Sequence, residues 1–202
     1  MAKLILNSKG LNTRIGSLQI GKELDVLTNN CSQEKSIFIV SFPEYYVDEL
    51  IRDHCKNVLG ILPENIFFSG YEVPDFSFVP DIVYVTEGNT FEVLDYMRKY
   101  KIVEYIKALF EDKKSSIYIG SSAGAIIAGK DILLANDFDK NFVRMNDDYT
   151  ALGLIDGTII PHYTPEELER YISYTDDLIL RRYSRIYSVS NEDVLVIDDA
   201  DI

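Results

Sequence analysis

The sequence is poor in cysteine and histidine, and it contains no long apolar run. Its 202 residues include two cysteines, Cys31 and Cys55, and two histidines. Two cysteines are too few for a disulfide framework, and their spacing is not that of metal ligands. No stretch approaches the roughly 20 apolar residues that a membrane-spanning helix requires. These absences argue against a disulfide-stapled or zinc-stabilised protein, and we predict neither a metal site nor a cofactor.

Positive charge is also scarce. Lysine and arginine total 20 against 33 acidic residues, which gives a formal net charge of −13. Because such a field repels phosphates, we expect neither nucleic acid nor an anionic membrane as a partner. The first residues, Met1–Asn7, are typical of a strand and lack the longer apolar stretch and small-residue cleavage site of a signal peptide. A cytoplasmic location is therefore predicted.

Apolar strand-like runs alternate with helical patterns along most of the chain. The predicted strands are Lys3–Leu6, Ser36–Phe42, Ile66–Ser69, Ile82–Thr86, Ser116–Ile119, Gly153–Ile155, Ile186–Val189 and Val194–Ile197. The predicted helices are Pro43–Leu59, Thr90–Tyr100, Ile102–Asp112, Ala123–Lys130 and Pro165–Arg182. Strands that are apolar throughout and joined by helices indicate a mostly parallel sheet covered on both faces. With no repeat or linker, the pattern predicts one α/β domain over residues 1–202.

The strongest local motif is Gly120–Gly124, which reads Gly-Ser-Ser-Ala-Gly between a predicted strand and a predicted helix. In that setting Gly-x-Ser-x-Gly is typical of a nucleophile elbow, whose glycines permit a sharp turn that exposes the hydroxyl of Ser122. The helix start offers free N–H groups to a developing oxyanion. The alternative is a small-residue turn packed against the sheet. The flanking strand and helix favour a catalytic serine.

A catalytic serine needs a base, and His54 and His162 are the two candidates. His54 lies inside the predicted helix Pro43–Leu59, one turn beyond Leu50 and Ile51, which is typical of a residue on the helix rim. His162 ends a short apolar run and precedes a helix start. A histidine at a strand exit lies where α/β sheets place their binding crevice. His162 is therefore the predicted general base, with an ordinary loop histidine as the alternative.

The third member of such a triad is a carboxylate that fixes the tautomer of the imidazole. The 33 acidic residues do not allow composition alone to select it. The order serine, acid, histidine favours Asp137 or Asp139, which lie in the polar segment Asn136–Thr150. A polar connection of this length is often functional. Glu192 and Asp193 near the end of the sequence are the rival candidates.

The block Gly120–Gly124, the pair Asn136-Asp137 and the block Pro161–Tyr163 together resemble the peptidase E family, which includes aspartyl dipeptidase and the cyanophycinases. The family is similar in layout to the class I glutamine amidotransferases. The resemblance implies a three-layer sandwich with a mostly parallel central sheet of the flavodoxin-like type. It also implies that Ser122 is the nucleophile, His162 the base and Asp137 the acid, with Glu192 near the position of an alternative acid.

A fourth block extends the resemblance. Residues 86–90 read Thr-Glu-Gly-Asn-Thr, where the family has Gly-Gly-Gly-Asn-Thr. The resemblance implies that the amides of Gly88 and Ala123 form the oxyanion hole. Glu87 departs from the pattern, because it introduces a carboxyl group beside a site that holds an oxyanion. The family arginine that binds an acidic substrate side chain has no clear equivalent, and its candidates are Arg170, Arg181 and Arg182.

The expected function is that of a serine peptidase which hydrolyses short peptides through an acyl-enzyme on Ser122. The resemblance makes dipeptides with an N-terminal acidic residue candidate substrates. Two alternatives stay open: a catalytically impaired ligand-binding or regulatory relative, indicated by Glu87, and a small esterase. An α/β-hydrolase esterase also has the order serine, acid, histidine, but it has no counterpart of Gly88–Thr90. A small peptide is the expected partner, and the protein is predicted to be a monomer or a homodimer.

Overall fold

The computed structural model describes residues 3–41, 48–111, 117–137, 139–143, 145, 147–166 and 183–198. Its strands are β1 Lys3–Asn7, β2 Ile37–Val40, β3 Ile66–Phe68, β4 Ile82–Val85, β5 Ile117–Ser121, β6 Gly157–Pro161, β7 Arg185–Val189 and β8 Val194–Asp198. Its α-helices are α1 Arg14–Thr28, α2 Asp48–Asn57, α3 Thr90–Lys99, α4 Ile102–Glu111 and α5 Ala123–Ile127. Short 3₁₀ helices cover Ser32–Glu34, Pro63–Asn65 and Leu133–Asp137.

Six of these strands form a central sheet in the order β3-β2-β4-β5-β1-β8. The neighbouring pairs are parallel except that β8 runs antiparallel to β1. The carboxyl ends of the five parallel strands therefore meet at one edge of the sheet, where this class of fold places its ligands. At that edge Asn7 pairs with Ser121, and Val85 pairs with Gly120.

Helices cover both faces of this sheet. On one face, Ile5 and Ile39 pack in a buried cluster with Leu24 of α1 and Ile51 of α2. On the opposite face a second buried cluster joins alternate strand residues to α3, α4 and α5; among its members are Leu6, Val83, Leu94, Ile106, Tyr118 and Ile126. Successive strand residues point to opposite faces, so burial of both faces explains runs that are apolar throughout. The predicted three-layer α/β fold is confirmed.

Strands β6 and β7 form a separate two-stranded parallel sheet in which Pro161 pairs with Val189. The end of α5 packs against β6, since a Cβ atom at Gly129 would lie 2.8 Å from the carbonyl oxygen of Gly157. The amide of Lys130 also donates to that oxygen at 3.0 Å. This packing places the carboxyl end of β6 beside the elbow that opens α5.

The structure corrects two predicted elements. The predicted strand Gly153–Ile155 is wrong, because the amides of Leu152, Gly153 and Leu154 donate to the carbonyls of Ile127, Gly129 and Ala128 at 3.0, 2.8 and 2.9 Å. That segment thus caps the end of α5, which finishes at Ile127 rather than at Lys130. Helix α1 is not among the predicted helices. In the structure, the Thr13 hydroxyl caps its start by accepting from the Gly16 amide at 3.0 Å.

Other predicted elements are observed with different bounds. Helix α2 occupies Asp48–Asn57 of the predicted Pro43–Leu59. Most of the predicted helix Pro165–Arg182 lies outside the described residues, as do Arg170, Arg181 and Arg182. Within the described ranges, no helix combines the length and the apolar character needed to cross a membrane.

Candidate active site

Ser122 sits at a strained turn between β5 and α5. Its backbone angles are φ 49° and ψ −108°, a conformation that residues with a Cβ rarely adopt. The Ser122 amide donates to the carbonyl of Asn7 at 2.9 Å, which ties the turn to the end of β1. A Cβ atom at Gly124 would lie 2.1 Å from the carbonyl oxygen of Val85. Close packing of α5 on β4 therefore requires glycine at that position of the motif.

His162 follows β6 and directs its ring at this serine. The Nε2 atom of His162 lies 2.9 Å from the Oγ atom of Ser122, although the residues are 40 positions apart in sequence. The His162 backbone has φ 57°. Its amide donates to the Oγ atom of Ser8 at 2.8 Å, and the Ser8 hydroxyl donates to the Val189 carbonyl at 2.8 Å. Ser8 thereby joins the end of β1 to the two-stranded sheet that carries His162.

The second ring nitrogen of His162 contacts an amide. Nδ1 lies 2.8 Å from Oδ1 of Asn191, a half-buried residue in the turn between β7 and β8. With the proton on Nδ1, that nitrogen donates to Oδ1, and the lone pair of Nε2 faces the Ser122 hydroxyl. Sequence reasoning missed Asn191 because it sought a carboxylate, although Asn191 directly precedes the candidate Glu192.

The described carboxylates named as candidates bind elsewhere. The side chain of Glu192 is 81% exposed and pairs with Lys9 at 3.8 Å, and its role as the alternative acid stays a prediction. Asp193 accepts from the Ser190 hydroxyl at 2.6 Å. Asp139 accepts from the amide and hydroxyl of Thr90 at 2.8 and 2.6 Å, so it binds the first amide of α3, whose N-cap is Asn89. The side chain of Asp137 lies outside the described residues, and its role stays a prediction.

The two amides expected in the oxyanion hole follow adjacent strands. Gly88 lies just beyond β4 with φ 147°, and Ala123 is the first residue of α5 after β5. The Ala123 amide has no carbonyl of its own helix to bind, as is general for the first turn. The neighbouring Ser122 amide is already occupied by Asn7, so it is not the available donor.

Glu87 turns its carboxyl group into the protein. Its Oε2 atom accepts from the hydroxyl of the fully buried Tyr84 at 3.2 Å. Among the described residues its Oε1 atom is buried and has no hydrogen-bond partner. Desolvation by burial raises the pKa of Glu87 above its usual value, which the hydrogen bond from Tyr84 only partly opposes. Burial therefore favours the uncharged acid, which repels an oxyanion less than a carboxylate does.

His54 has a structural contact. It is half-buried on α2, and its Nδ1 atom lies within hydrogen-bonding distance of the Leu11 carbonyl.

The part of the chain that the structure describes contains no group of three histidine, cysteine or acidic residues arranged to hold a metal ion. Buried Cys55 has a pKa raised to about 12 because burial disfavours its thiolate, although nearby Arg52 opposes this shift. A thiol with such a pKa forms almost no thiolate at neutral pH, so it is a poor nucleophile there.

Comparison with known proteins identifies relatives along the chain. The profile of peptidase family S51 matches residues 4–202. An uncharacterized peptidase of Listeria monocytogenes serovar 1/2a is 32% identical over 121 residues, which cover 58% of this chain and 56% of that protein. A peptidase E of Shewanella amazonensis is 37% identical over 84 residues, which cover 42% of this chain and 34% of that protein. The match thus spans about half or less of these curated relatives.

A solved structure is similar over nearly the whole chain. The crystal structure of a candidate peptidase E from Listeria monocytogenes EGD-e superposes with a TM-score of 0.65 and covers 98% of both chains. Its sequence identity of 23% supports similarity of fold alone. Together these similarities confirm the family resemblance that the sequence motifs predict.

Proposed function

Because the chain belongs to peptidase family S51, we propose that it is a serine peptidase that hydrolyses short peptides through an acyl-enzyme on Ser122. The observation that carries this proposal is the 2.9 Å distance between Ser122 Oγ and His162 Nε2. A serine hydroxyl within hydrogen-bonding distance of an imidazole is the arrangement that activates the nucleophile. The strained elbow and the carboxyl edge of the sheet support the same role.

In the proposed first step, Ser122 Oγ attacks the carbonyl carbon of the scissile peptide bond while its proton moves to Nε2 of His162. The carbonyl π electrons move to oxygen and form an oxyanion. When the tetrahedral intermediate collapses, the C–N bond breaks and Nε2 donates its proton to the leaving amine. Water then attacks the acyl-enzyme, loses a proton to Nε2, and releases the acid as Ser122 regains its proton.

The amides of Gly88 and Ala123 are the proposed donors to the oxyanion. Both lie where β4 and β5 end, and Val85 and Gly120 pair three residues before each of them. Fixed donors of this type are among the largest contributors to acyl-transfer catalysis; loss of one costs about 10²–10³ in rate. The burial of Glu87 against Tyr84 supports an oxyanion hole that functions although Glu87 replaces a glycine of the family sequence.

Short peptides are the proposed substrate class. The name of the Shewanella relative and the motif resemblance support cleavage of peptide bonds. Dipeptides with an N-terminal acidic residue are the first group to test. Purified protein should be assayed on dipeptides and tripeptides that differ in the first residue, and on p-nitrophenyl esters. We expect peptide cleavage that Ser122→Ala and His162→Ala each lower by at least about 10³-fold.

Two results would separate this proposal from its alternatives. Rapid ester turnover without peptide cleavage would indicate an esterase. A chain that binds peptides with unchanged affinity in Ser122→Ala and cleaves none would indicate the impaired relative, for which the one supporting observation is Glu87 beside Gly88. Retention of full peptidase activity by Ser122→Ala would overturn the assignment of the nucleophile.

A further inference from the structure

We propose that Asn191 is the residue that orients His162, in the position where a carboxylate was predicted. This inference rests on the proposed serine peptidase mechanism. Asn191 Oδ1 lies 2.8 Å from His162 Nδ1, on the side of the ring opposite Ser122. Of the two histidines in the sequence, His162 is the one whose Nε2 atom lies within hydrogen-bonding distance of the Ser122 hydroxyl.

The strand register brings the amide and the ring together. Pro161 of β6 pairs with Val189 of β7. His162 follows Pro161 directly, and Asn191 lies two positions beyond Val189, so both leave the same end of one parallel pair. The amide of Tyr163 also donates to the Val189 carbonyl at 3.1 Å, which extends the pairing past His162. The contact is therefore built by the two-stranded sheet itself.

The turn that carries Asn191 is held from both sides. The Ser190 hydroxyl accepts from the Glu192 amide at 3.1 Å and donates to the Asp193 carboxylate at 2.6 Å. The Asn191 carbonyl accepts from Nε2 of Gln19 on α1 at 3.4 Å. Asn191 is half-buried while Glu192 and Asp193 are exposed, so the asparagine is the member of the turn that faces the histidine.

His162 is consequently fixed at two points. Ser8 binds its backbone amide, and Asn191 binds its ring. The amide oxygen accepts only a proton that is already on Nδ1, so it selects the tautomer whose Nε2 can take the Ser122 proton. Asn191 neither gains nor loses a proton in the reaction. It stabilises the imidazolium by a dipole rather than by a full charge.

The difference between an amide and a carboxylate gives a measurable signature. An imidazolium next to a carboxylate holds its proton to higher pH than one next to an amide. The charged groups described around this turn are Lys9, Glu192 and Asp193, and an Asn191 variant leaves all three residues in place. Asn191→Asp should therefore move the acid limb of the kcat/KM profile to higher pH by about one pH unit, while Asn191→Ala loses the contact.

The kinetic experiment compares Asn191→Ala, Asn191→Asp and the exposed control Asn57→Asp on a cleaved peptide. We expect Asn191→Ala to lower kcat by about 10- to 100-fold with little change in KM. Asn191→Asp should recover most of that loss and carry the shifted acid limb, and Asn57→Asp should match wild type. A kcat for Asn191→Ala within twofold of wild type, or an unshifted limb in Asn191→Asp, would overturn the proposal.

A second readout does not depend on turnover. Nitrogen-15 NMR of the imidazoles in a Ser122→Ala background should show a proton on Nδ1 of His162, with the signal assigned by its loss in His162→Gln. Asn191→Ala should change that signal and leave His54 unaffected. An unaltered His162 spectrum in Asn191→Ala would disprove the contact even if peptide cleavage is established. Conversely, failure of Ser122→Ala to lower activity would reject the proposed function and leave the Asn191 contact to be judged by NMR.

Discussion

The carboxyl group of Glu87 lies so close to Gly10 that a Cβ atom at position 10 would come within 1.8 Å of Glu87 Oε2. Gly10 belongs to the loop after β1, and Glu87 belongs to the loop after β4. The same hypothetical Cβ atom would lie 2.6 Å from the hydroxyl of Tyr84. The contact packs two loops at the carboxyl edge of the sheet against each other, beside the proposed oxyanion donor Gly88.

The first prediction follows from this packing. Gly10→Ala should destabilise the protein by about 1–3 kcal/mol, because the added methyl group overpacks a filled space. In a Glu87→Ala background the same substitution should cost less, since one of the two clashing groups is gone. Chemical denaturation of the single and double variants measures the coupling. Equal costs in both backgrounds would show that the Glu87 carboxyl does not occupy the space above Gly10.

The second prediction concerns the pH dependence of stability at Glu87. Burial raises the pKa of Glu87 in the folded protein above its value in the unfolded chain. The folded state then binds more protons, so this residue makes the free energy of unfolding fall as the pH rises through that window. Glu87→Gln removes this dependence. Its melting temperature should exceed that of wild type at pH 8, and the difference should shrink toward pH 4.

Scanning calorimetry of wild type and Glu87→Gln between pH 4 and pH 8 checks the sign of this effect. Glu64→Gln makes the same chemical change at an exposed position and serves as the control. A melting-temperature difference between Glu87→Gln and wild type that falls rather than rises from pH 4 to pH 8 would mean that the ionised carboxylate stabilises the fold.

The third prediction assigns Asp139 a structural role. Its Oδ2 atom binds the amide and hydroxyl of Thr90, and the fully buried Thr90 is the first residue of α3. Asp139→Ala should cost about 1 kcal/mol, because it removes the acceptor of the first amide of α3 while the N-cap Asn89 stays, and lower the melting temperature by about 2–4 °C. The kcat of the remaining folded enzyme should stay within about threefold. A loss of kcat beyond 10³-fold without a change in stability would instead place Asp139 in the triad.

The fourth prediction separates Glu192 from its neighbour Asn191. Glu192 is largely exposed and pairs with Lys9, and exposed ion pairs contribute at most about 1 kcal/mol. Glu192→Gln should therefore lower kcat/KM by less than about fivefold, and by less than Asn191→Ala does. Steady-state kinetics of the two variants on one peptide makes the comparison. A larger loss in Glu192→Gln would restore the glutamate as the acid of the triad.

The fold was predictable from the sequence because most strands are buried on both faces. Such strands read as continuous apolar runs, and the runs around Ile39, Val83 and Ile119 were located to within one or two residues. Helix α1 was missed because its apolar residues are mixed with glycine, serine and exposed Leu18 and Val26. The sequence wrongly predicts a strand at Gly153–Ile155, because a short apolar run does not reveal whether its amides bind a strand or a helix end.

Part of the candidate site was predictable for a similar local reason. Ser122 lies in a short motif between a strand and a helix, and Gly120 contacts Gly124 within that motif, whereas Gly124 contacts Val85 of β4. His162 is predicted as the base because it ends an apolar run at a strand exit, whereas His54 lies inside a predicted helix. Asn191 and Ser8 were not identified, since their contacts to His162 span 29 and 154 positions and depend on how two sheets meet. No local sequence pattern predicts how the two sheets pack against each other.

Reaction of the protein with a fluorophosphonate, followed by peptide mapping in a mass spectrometer, tests whether Ser122 and His162 act as nucleophile and base. We expect one stoichiometric adduct on Ser122, no adduct in Ser122→Ala, and labelling slowed by at least about 10²-fold in His162→Ala. An enzyme that cleaves peptides while Ser122 stays unlabelled, or labelling that proceeds unchanged in His162→Ala, would show that these two residues do not form the reactive pair.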